Sequence, residues 1–106
     1  LTFQVLTPND KVKLGAAYTD PTSLPGPIEI LSVQGGIFQT EEGDMVLHLH
    51  GTFSDKDGKV YAGHLVPDGN PVLATLEAVI AEITDVRLIR RYDEDTGLKL
   101  ITPEPL

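Results

Sequence analysis

The clearest pattern along the chain is an alternation of apolar and polar residues over 45–53, repeated over 59–66. Alternation with a period of two is typical of β-strands that have one buried face. A short polar run at 55–58 separates the two stretches and ends in glycine. This arrangement predicts a β-hairpin.

Two turns are compatible with this hairpin, and they give different registers. A two-residue turn at Asp57-Gly58 places the like charges of Lys56 and Lys59 opposite each other. A type I turn followed by Gly58 in the left-handed conformation pairs Asp55 with Lys59 instead. The second register also aligns three matched pairs, Phe53–Tyr61, Gly51–Gly63 and Leu49–Leu65. Because matched cross-strand pairs stabilise a sheet, we expect the second register.

The segment after the hairpin changes to a helical pattern. Asn70 followed by Pro71 is typical of a helix start, with asparagine as the N-cap and proline at the first helical position. Apolar residues then recur at helical spacing: Val72, Leu76, Val79, Ile80 and Ile83. We therefore predict an amphipathic helix over 71–84.

The remaining segments are predicted to be strands and turns. We expect strands within 12–18, 28–34, 86–92 and 98–102, a proline-rich loop over 20–27, a bulge or tight turn at Gly35-Gly36, and a turn over 93–97. The predicted fold class is α+β, a mostly antiparallel β-sheet with one principal helix, in a single domain over 1–106. Since Leu1 starts in an apparent mid-strand, we expect that some N-terminal residues precede it.

All three histidines of the chain lie in the predicted hairpin. His48 and His50 are two residues apart, so their side chains leave the same face of the strand. The expected register sets His50 opposite His64, with His48 diagonal to His64 on that face. Three histidines plus a water form a known kind of open zinc site, and nickel, iron or manganese also accept imidazole ligands. Without a metal, the same cluster would be a pH-sensitive patch.

Composition and charge restrict the function further. The chain has 106 residues with no cysteine, which excludes disulfide scaffolds and thiolate zinc sites and fits a cytoplasmic protein. Sixteen acidic residues against eight basic ones give a net charge of −8. A protein that binds a phosphate backbone usually carries a basic patch, and the only adjacent basic residues are Arg90 and Arg91. No apolar run is long enough to cross a membrane.

Several segments together resemble a known family. They are Glu29-Ile30-Leu31-Ser32-Val33-Gln34-Gly35-Gly36, His48-Leu49-His50, Asp57-Gly58-Lys59-Val60, Gly63-His64-Leu65, Arg91-Tyr92-Asp93 and Thr96-Gly97-Leu98. In this order they resemble the plant and prokaryote conserved domain family, over about 28–100. The resemblance implies a homotrimer and a description as a predicted DNA-binding protein. In plants the family's domain accompanies AT-hook motifs, and this chain contains no Arg-Gly-Arg-Pro element.

The family fold is also similar to that of acetolactate decarboxylase, which holds zinc with an HxH pair and a third histidine. His48, His50 and His64 follow that order, so the resemblance supports a metal site, with zinc as the first candidate. The fourth ligand is left open between water and Glu77, which is otherwise expected to be a surface acid on the predicted helix.

The sequence, together with what this resemblance implies, thus predicts a trimeric, cytoplasmic, metal-binding domain with a regulatory or ligand-binding role. DNA binding is implied by the resemblance but opposed by the negative charge, and a small-molecule ligand is also compatible. Two alternatives are a small metal-dependent enzyme, either a lyase or a hydrolase, and a module in which the metal is purely structural.

Overall fold

The protein is built from β-strands and irregular segments. The computed structural model describes residues 1–106. Its nine strands are β1 (Thr2–Gln4), β2 (Leu6–Pro8), β3 (Ala16–Tyr18), β4 (Thr22–Ser23), β5 (Glu29–Thr40), β6 (Met45–Ser54), β7 (Val60–Leu65), β8 (Val86–Asp93) and β9 (Leu98–Pro105). No helix is present, so the α+β prediction is wrong and the fold is all-β.

Seven of the strands form one mixed sheet, and the other two form a small sheet. The order in the large sheet is β4-β1-β7-β6-β5-β8-β9, and the small sheet pairs β2 with β3. Only the β5–β8 pair is parallel. The molecule measures 45 × 37 × 18 Å, so it is much thinner in one direction than in the other two. The structure offers no helix with the length and apolar character needed to span a bilayer.

The predicted hairpin is confirmed as β6 and β7, with the expected turn. The Asp55 amide donates to the Lys59 carbonyl at 3.0 Å, and the Lys59 amide donates to Asp55 Oδ1 at 2.9 Å. Gly58 has a φ of 76°, the left-handed conformation that this turn requires. The observed pairs include His50–His64, Gly51–Gly63 and Phe53–Tyr61. The paired residues end at His50–His64, one pair before the expected Leu49–Leu65.

The alternation of side chains gives the large sheet two different faces. The phenylalanine face carries Phe3, Phe53 and Tyr61, and the histidine face carries the three histidines. Phe3 and Phe53 are only 6% and 3% exposed, and the Phe3 and Tyr61 rings lie 6.1 Å apart. The third buried residue is Ile89 on β8. The core therefore lies on the phenylalanine face.

The prediction of a bulge or tight turn at Gly35-Gly36 is wrong. Strand β5 runs through both glycines, and its register shift lies between Ile30 and Ser32. Gly35 adopts a φ of 152°, and a Cβ atom there would collide with the carbonyl oxygen of His48. The glycine pattern thus marks a close approach of β5 to β6 rather than an interruption of the strand.

The helix predicted over 71–84 is wrong, and Asn70 shows why. Its side chain is engaged by β1 instead of capping a helix: Oδ1 accepts from the Thr2 amide at 2.7 Å, and Nδ2 donates to the Thr2 carbonyl at 2.9 Å. No apolar surface covers the segment, since Leu73 is 87% exposed and Val79 is fully exposed. A short helix without a packing partner is marginal in water, and the β-branched residues of this segment weaken it further.

The predictions for the remaining segments are confirmed in part. The strands expected over 86–92 and 98–102 are β8 and β9, and the Gly97 amide closes the turn between them by donating to the Asp93 carbonyl at 2.8 Å. The strand expected within 12–18 is restricted to β3. The loop expected over 20–27 contains the two-residue strand β4, which pairs with β1.

Candidate metal centre

Strands β6 and β7 bring the three histidines together on the histidine face. His50 is paired directly with His64, and His48 lies two residues before His50 on the same face of β6. The ring centroid of His48 lies 4.9 Å from those of His50 and His64, and the His50–His64 separation is 5.5 Å. One nitrogen from each ring lies within 4.8 Å of the others. The prediction that the three imidazoles converge is confirmed.

A polar row continues on both sides of the paired histidines. Gln4 on β1 is paired with His64, and Gln34 on β5 is paired with His50. Because paired residues project to the same face, the histidine face carries a glutamine on each side of the His50–His64 pair. These amides can donate or accept hydrogen bonds without adding charge.

Two imidazoles of this cluster, those of His48 and His64, favour the neutral form. Burial, followed by the positive charges of Arg90, His64 and His50, lowers the pKa of His48 from 6.5 to about 4. Burial is also the largest cause that lowers the pKa of His64, with His50 and Arg90 adding to it. A neutral imidazole has a free lone pair, which is the form that binds a metal.

Two nitrogen atoms in the cluster have no protein partner. His48 Nδ1 and His64 Nδ1 are buried and make no hydrogen bond. A buried polar atom without a partner costs free energy, about 1–3 kcal/mol. An ion held by the cluster would remove part of this cost, so the residues present fit a metal. The ligand nitrogens of a tetrahedral ion are about 3.4 Å apart, so the three rings must draw closer to hold one.

Tyr18 completes this region, and sequence analysis did not single it out. Its ring stacks on that of His64, with centroids 4.8 Å apart and an interplanar angle of 26°. Its hydroxyl oxygen lies 3.5 Å from His50 Nε2. Strand β3, which carries Tyr18, belongs to the small sheet and lies more than 30 positions before His50. No local pattern in the sequence indicates this approach.

An open cleft of about 380 Å³ adjoins the cluster. Its polar lining includes Gln4, Tyr18, Ser32, Gln34, Thr52, His50 and His64. Val5, Leu6 and Ala62 add apolar surface, and no carboxylate lines the cleft. Although the chain has sixteen acidic residues, none of them lines this cleft.

The other candidate residues lie outside the cluster. Glu77 is exposed in the irregular segment between β7 and β8 and is not among the residues that converge with the histidines. Arg90 and Arg91 are consecutive on β8, so they project to opposite faces. Arg91 is paired with Glu104 at 2.6 Å. The adjacent arginines do not form a basic patch.

Comparison with known proteins identifies the family. The model of the Plants and Prokaryotes Conserved domain matches residues 8–84. The chain belongs to this family. The matched range contains the whole β6–β7 hairpin and all three histidines. No curated protein and no solved structure matches the chain, so the expected similarity to acetolactate decarboxylase is not confirmed.

Proposed function

We propose that this Plants and Prokaryotes Conserved domain binds a divalent transition metal through His48, His50 and His64, with zinc as the first candidate. The observation that carries the proposal is the convergence of three ligand nitrogens within 4.8 Å. The low pKa of His48, about 4, keeps its ring neutral and ready to bind at neutral pH. When bound, the metal would supply a Lewis acid or a rigid cross-link between β6 and β7.

The donor set favours a transition metal over calcium or magnesium. Calcium and magnesium prefer oxygen ligands, mainly carboxylates and carbonyls. The converging groups are three imidazoles, and no carboxylate lines the adjoining cleft. Imidazole ligands suit zinc, copper, nickel and iron.

Elemental analysis of the untagged protein tests this proposal. We expect about one equivalent of zinc or another transition metal per chain in the wild type. The double variant His48→Ala/His64→Ala should contain none, whereas the control variant Thr52→Ala, on the same face of β6, should retain it. A wild-type protein that carries no metal and cannot be loaded with zinc would refute the proposal.

The biological role that we propose is regulatory or ligand-binding, in a homotrimer. The support for self-association is the large amount of uncovered apolar surface. Leu73, Val79 and Ile80 are each more than three-quarters exposed, and only three residues of the chain are buried. Apolar surface of this extent on a small chain is typical of an interface, and a second copy of the same chain is the occupant that we propose. Sedimentation equilibrium should give three times the 11.5 kDa chain mass, and a monomer would refute the assembly.

DNA binding is a weaker candidate for this chain than metal binding. The net charge is −8, and the only adjacent arginines face opposite sides of β8. A protein that contacts several phosphates shows affinity that falls steeply with salt concentration. We expect no DNA mobility shift at low salt, and a shift that weakens steeply with added salt would restore the DNA-binding interpretation.

The enzymatic alternative depends on the fourth ligand position. A lyase or hydrolase that uses the metal needs that position open to water or substrate, with the cleft beside it. A metal with four protein ligands would instead be structural or regulatory.

A further inference from the structure

The hydroxyl of Tyr18 lies beside the histidine cluster. It lies 3.5 Å from His50 Nε2, and this is its one hydrogen-bonding contact. A hydrogen bond from a hydroxyl is shorter, with a usual separation of about 2.7–2.8 Å between oxygen atoms. The observed distance is therefore at the outer limit for a direct hydrogen bond.

The same distance fits two ligands of one tetrahedral ion. Zinc lies about 2.0–2.1 Å from nitrogen and oxygen ligands, so neighbouring ligand atoms of a tetrahedral site are about 3.3–3.4 Å apart. The Tyr18–His50 separation of 3.5 Å is close to this value. We propose that Tyr18 is the fourth protein ligand of the metal held by His48, His50 and His64. This inference rests on the proposed metal binding.

The charge of the site supports a phenolate ligand. Three neutral imidazoles leave the full +2 charge of a divalent ion uncompensated. No carboxylate lines the cleft beside the histidines, so Tyr18 is the lining residue that can supply a negative oxygen. As a ligand, the Tyr18 phenol would lose its proton to solvent when the metal–oxygen bond forms.

The position of Tyr18 in the fold supports the same assignment. Its ring stacks on His64 with centroids 4.8 Å apart, while its hydroxyl lies 3.5 Å from His50 Nε2. The neighbouring Thr19 anchors this end of β3 to the large sheet, since its carbonyl accepts from Gln4 Nε2 at 2.9 Å and its amide donates to the Val5 carbonyl at 2.9 Å. The metal would thus join the small sheet to the large one. It would also leave no open position in a four-coordinate site.

Copper spectroscopy tests the assignment directly. A phenolate bound to Cu(II) gives an intense ligand-to-metal charge-transfer band in the visible region, whereas imidazole ligands alone do not. The wild type loaded with Cu(II) should show this band, and Tyr18→Phe, which keeps the stacked ring, should lose it. The control variant Tyr61→Phe, on the phenylalanine face, should keep it. Zinc affinity, measured by competition with a chelator, should fall by at least about tenfold in Tyr18→Phe only.

The outcomes separate this inference from the proposal that it rests on. Stoichiometric metal in the wild type without the band, together with unchanged zinc affinity in Tyr18→Phe, overturns the assignment of Tyr18 and leaves the three-histidine site intact. A wild type that binds no metal overturns both. The band of the wild-type protein is informative by itself, so the test holds even if a variant fails to fold.

Discussion

The two faces of the β6–β7 hairpin share the same strands and the same register, yet one face contributes to the core and the other carries a polar cluster. On the phenylalanine face, Phe53 is 3% exposed and contributes to the core. On the histidine face, the buried Nδ1 atoms of His48 and His64 lack hydrogen-bond partners. One face thus contributes stability, whereas the other retains buried polar atoms that have no hydrogen-bond partner in the protein.

This contrast indicates how a small sheet can hold a site that is costly in isolation. Burial of the apolar face offsets the cost of grouping three imidazoles on the polar face. The exposed segment between β7 and β8 contributes to neither face, because its apolar side chains are not covered within the chain. The predictions below test whether the two faces are as different as the structure indicates.

The largest effect is expected on the phenylalanine face. Phe53→Ala should lower the free energy of unfolding by about 3–5 kcal/mol, because it removes a buried ring and leaves a cavity. Urea denaturation measures the change. Met45→Ala is the matched control on the same face of β6, where the side chain is 66% exposed and the loss should be within about 0.5 kcal/mol. Equal losses for the two variants would contradict the position of the core.

The next effect is expected where β5 approaches the histidine strand. Gly35→Ala should destabilise by about 2–4 kcal/mol, because the methyl group strains a backbone at positive φ and collides with the His48 carbonyl. Gly43→Ala isolates the conformational part of this cost, since Gly43 has a φ of 94° but open space around it. Gly43→Ala should lower the free energy of unfolding by about 1 kcal/mol. Chemical denaturation of both variants gives the comparison, and a smaller loss at Gly35 than at Gly43 would refute the close approach.

On the histidine face, we expect the effect of one substitution on stability to reverse when zinc is added. Without metal, His64→Leu should leave stability unchanged or raise it by about 1 kcal/mol, because it removes a buried nitrogen that has no partner. With excess zinc the wild type should be stabilised relative to this variant, since a ligand that binds only the folded state raises stability. Melting temperatures of the wild type and His64→Leu, measured with zinc and with a chelator, test both expectations. Destabilisation by His64→Leu in chelator would show that the histidine already has a partner.

The smallest effect is a pH dependence of the metal-free protein. The pKa of His48 is near 6.5 in the unfolded chain and about 4 in the folded one, so the unfolded state binds the extra proton between these values. Stability should therefore fall as the pH decreases through 6.5 towards 4, and the contribution of His48 to this slope should fade as the pH rises above 6.5. Because the ring is partly exposed, we expect a small slope. The difference between wild type and His48→Gln, measured by thermal melts from pH 7 to pH 5, isolates it from the carboxylates. If the stability of the two proteins changes equally with pH, the lowered pKa of His48 is contradicted.

The hairpin and its histidine cluster were predictable because their signals are local. The period of two assigns each residue to a face, and the turn at Asp55–Gly58 sets the register within a few residues. Once the register is known, the placement of His48, His50 and His64 on one face follows. The same reasoning located β8 and β9 on either side of the turn at 93–97.

The helix prediction was wrong because the residue expected to cap the helix hydrogen-bonds to a distant strand instead. Asn70 has the chemistry of an N-cap, but its amide pairs with the backbone of Thr2, 68 positions away. A helical pattern also requires a surface to pack against, and whether such a surface exists is decided by the whole fold. Spacing along the chain contains neither piece of information.

The sequence by itself determined the hairpin, its register, the grouping of the three histidines and the membership of the family. Only the tertiary structure decided the all-β architecture and the approach of Tyr18 to His50. The physical reason is the range of the interactions. Alternation and turn chemistry act between near neighbours, whereas the contact of Tyr18 with His50 spans 32 positions and requires the small sheet to lie beside the histidine face of the large one.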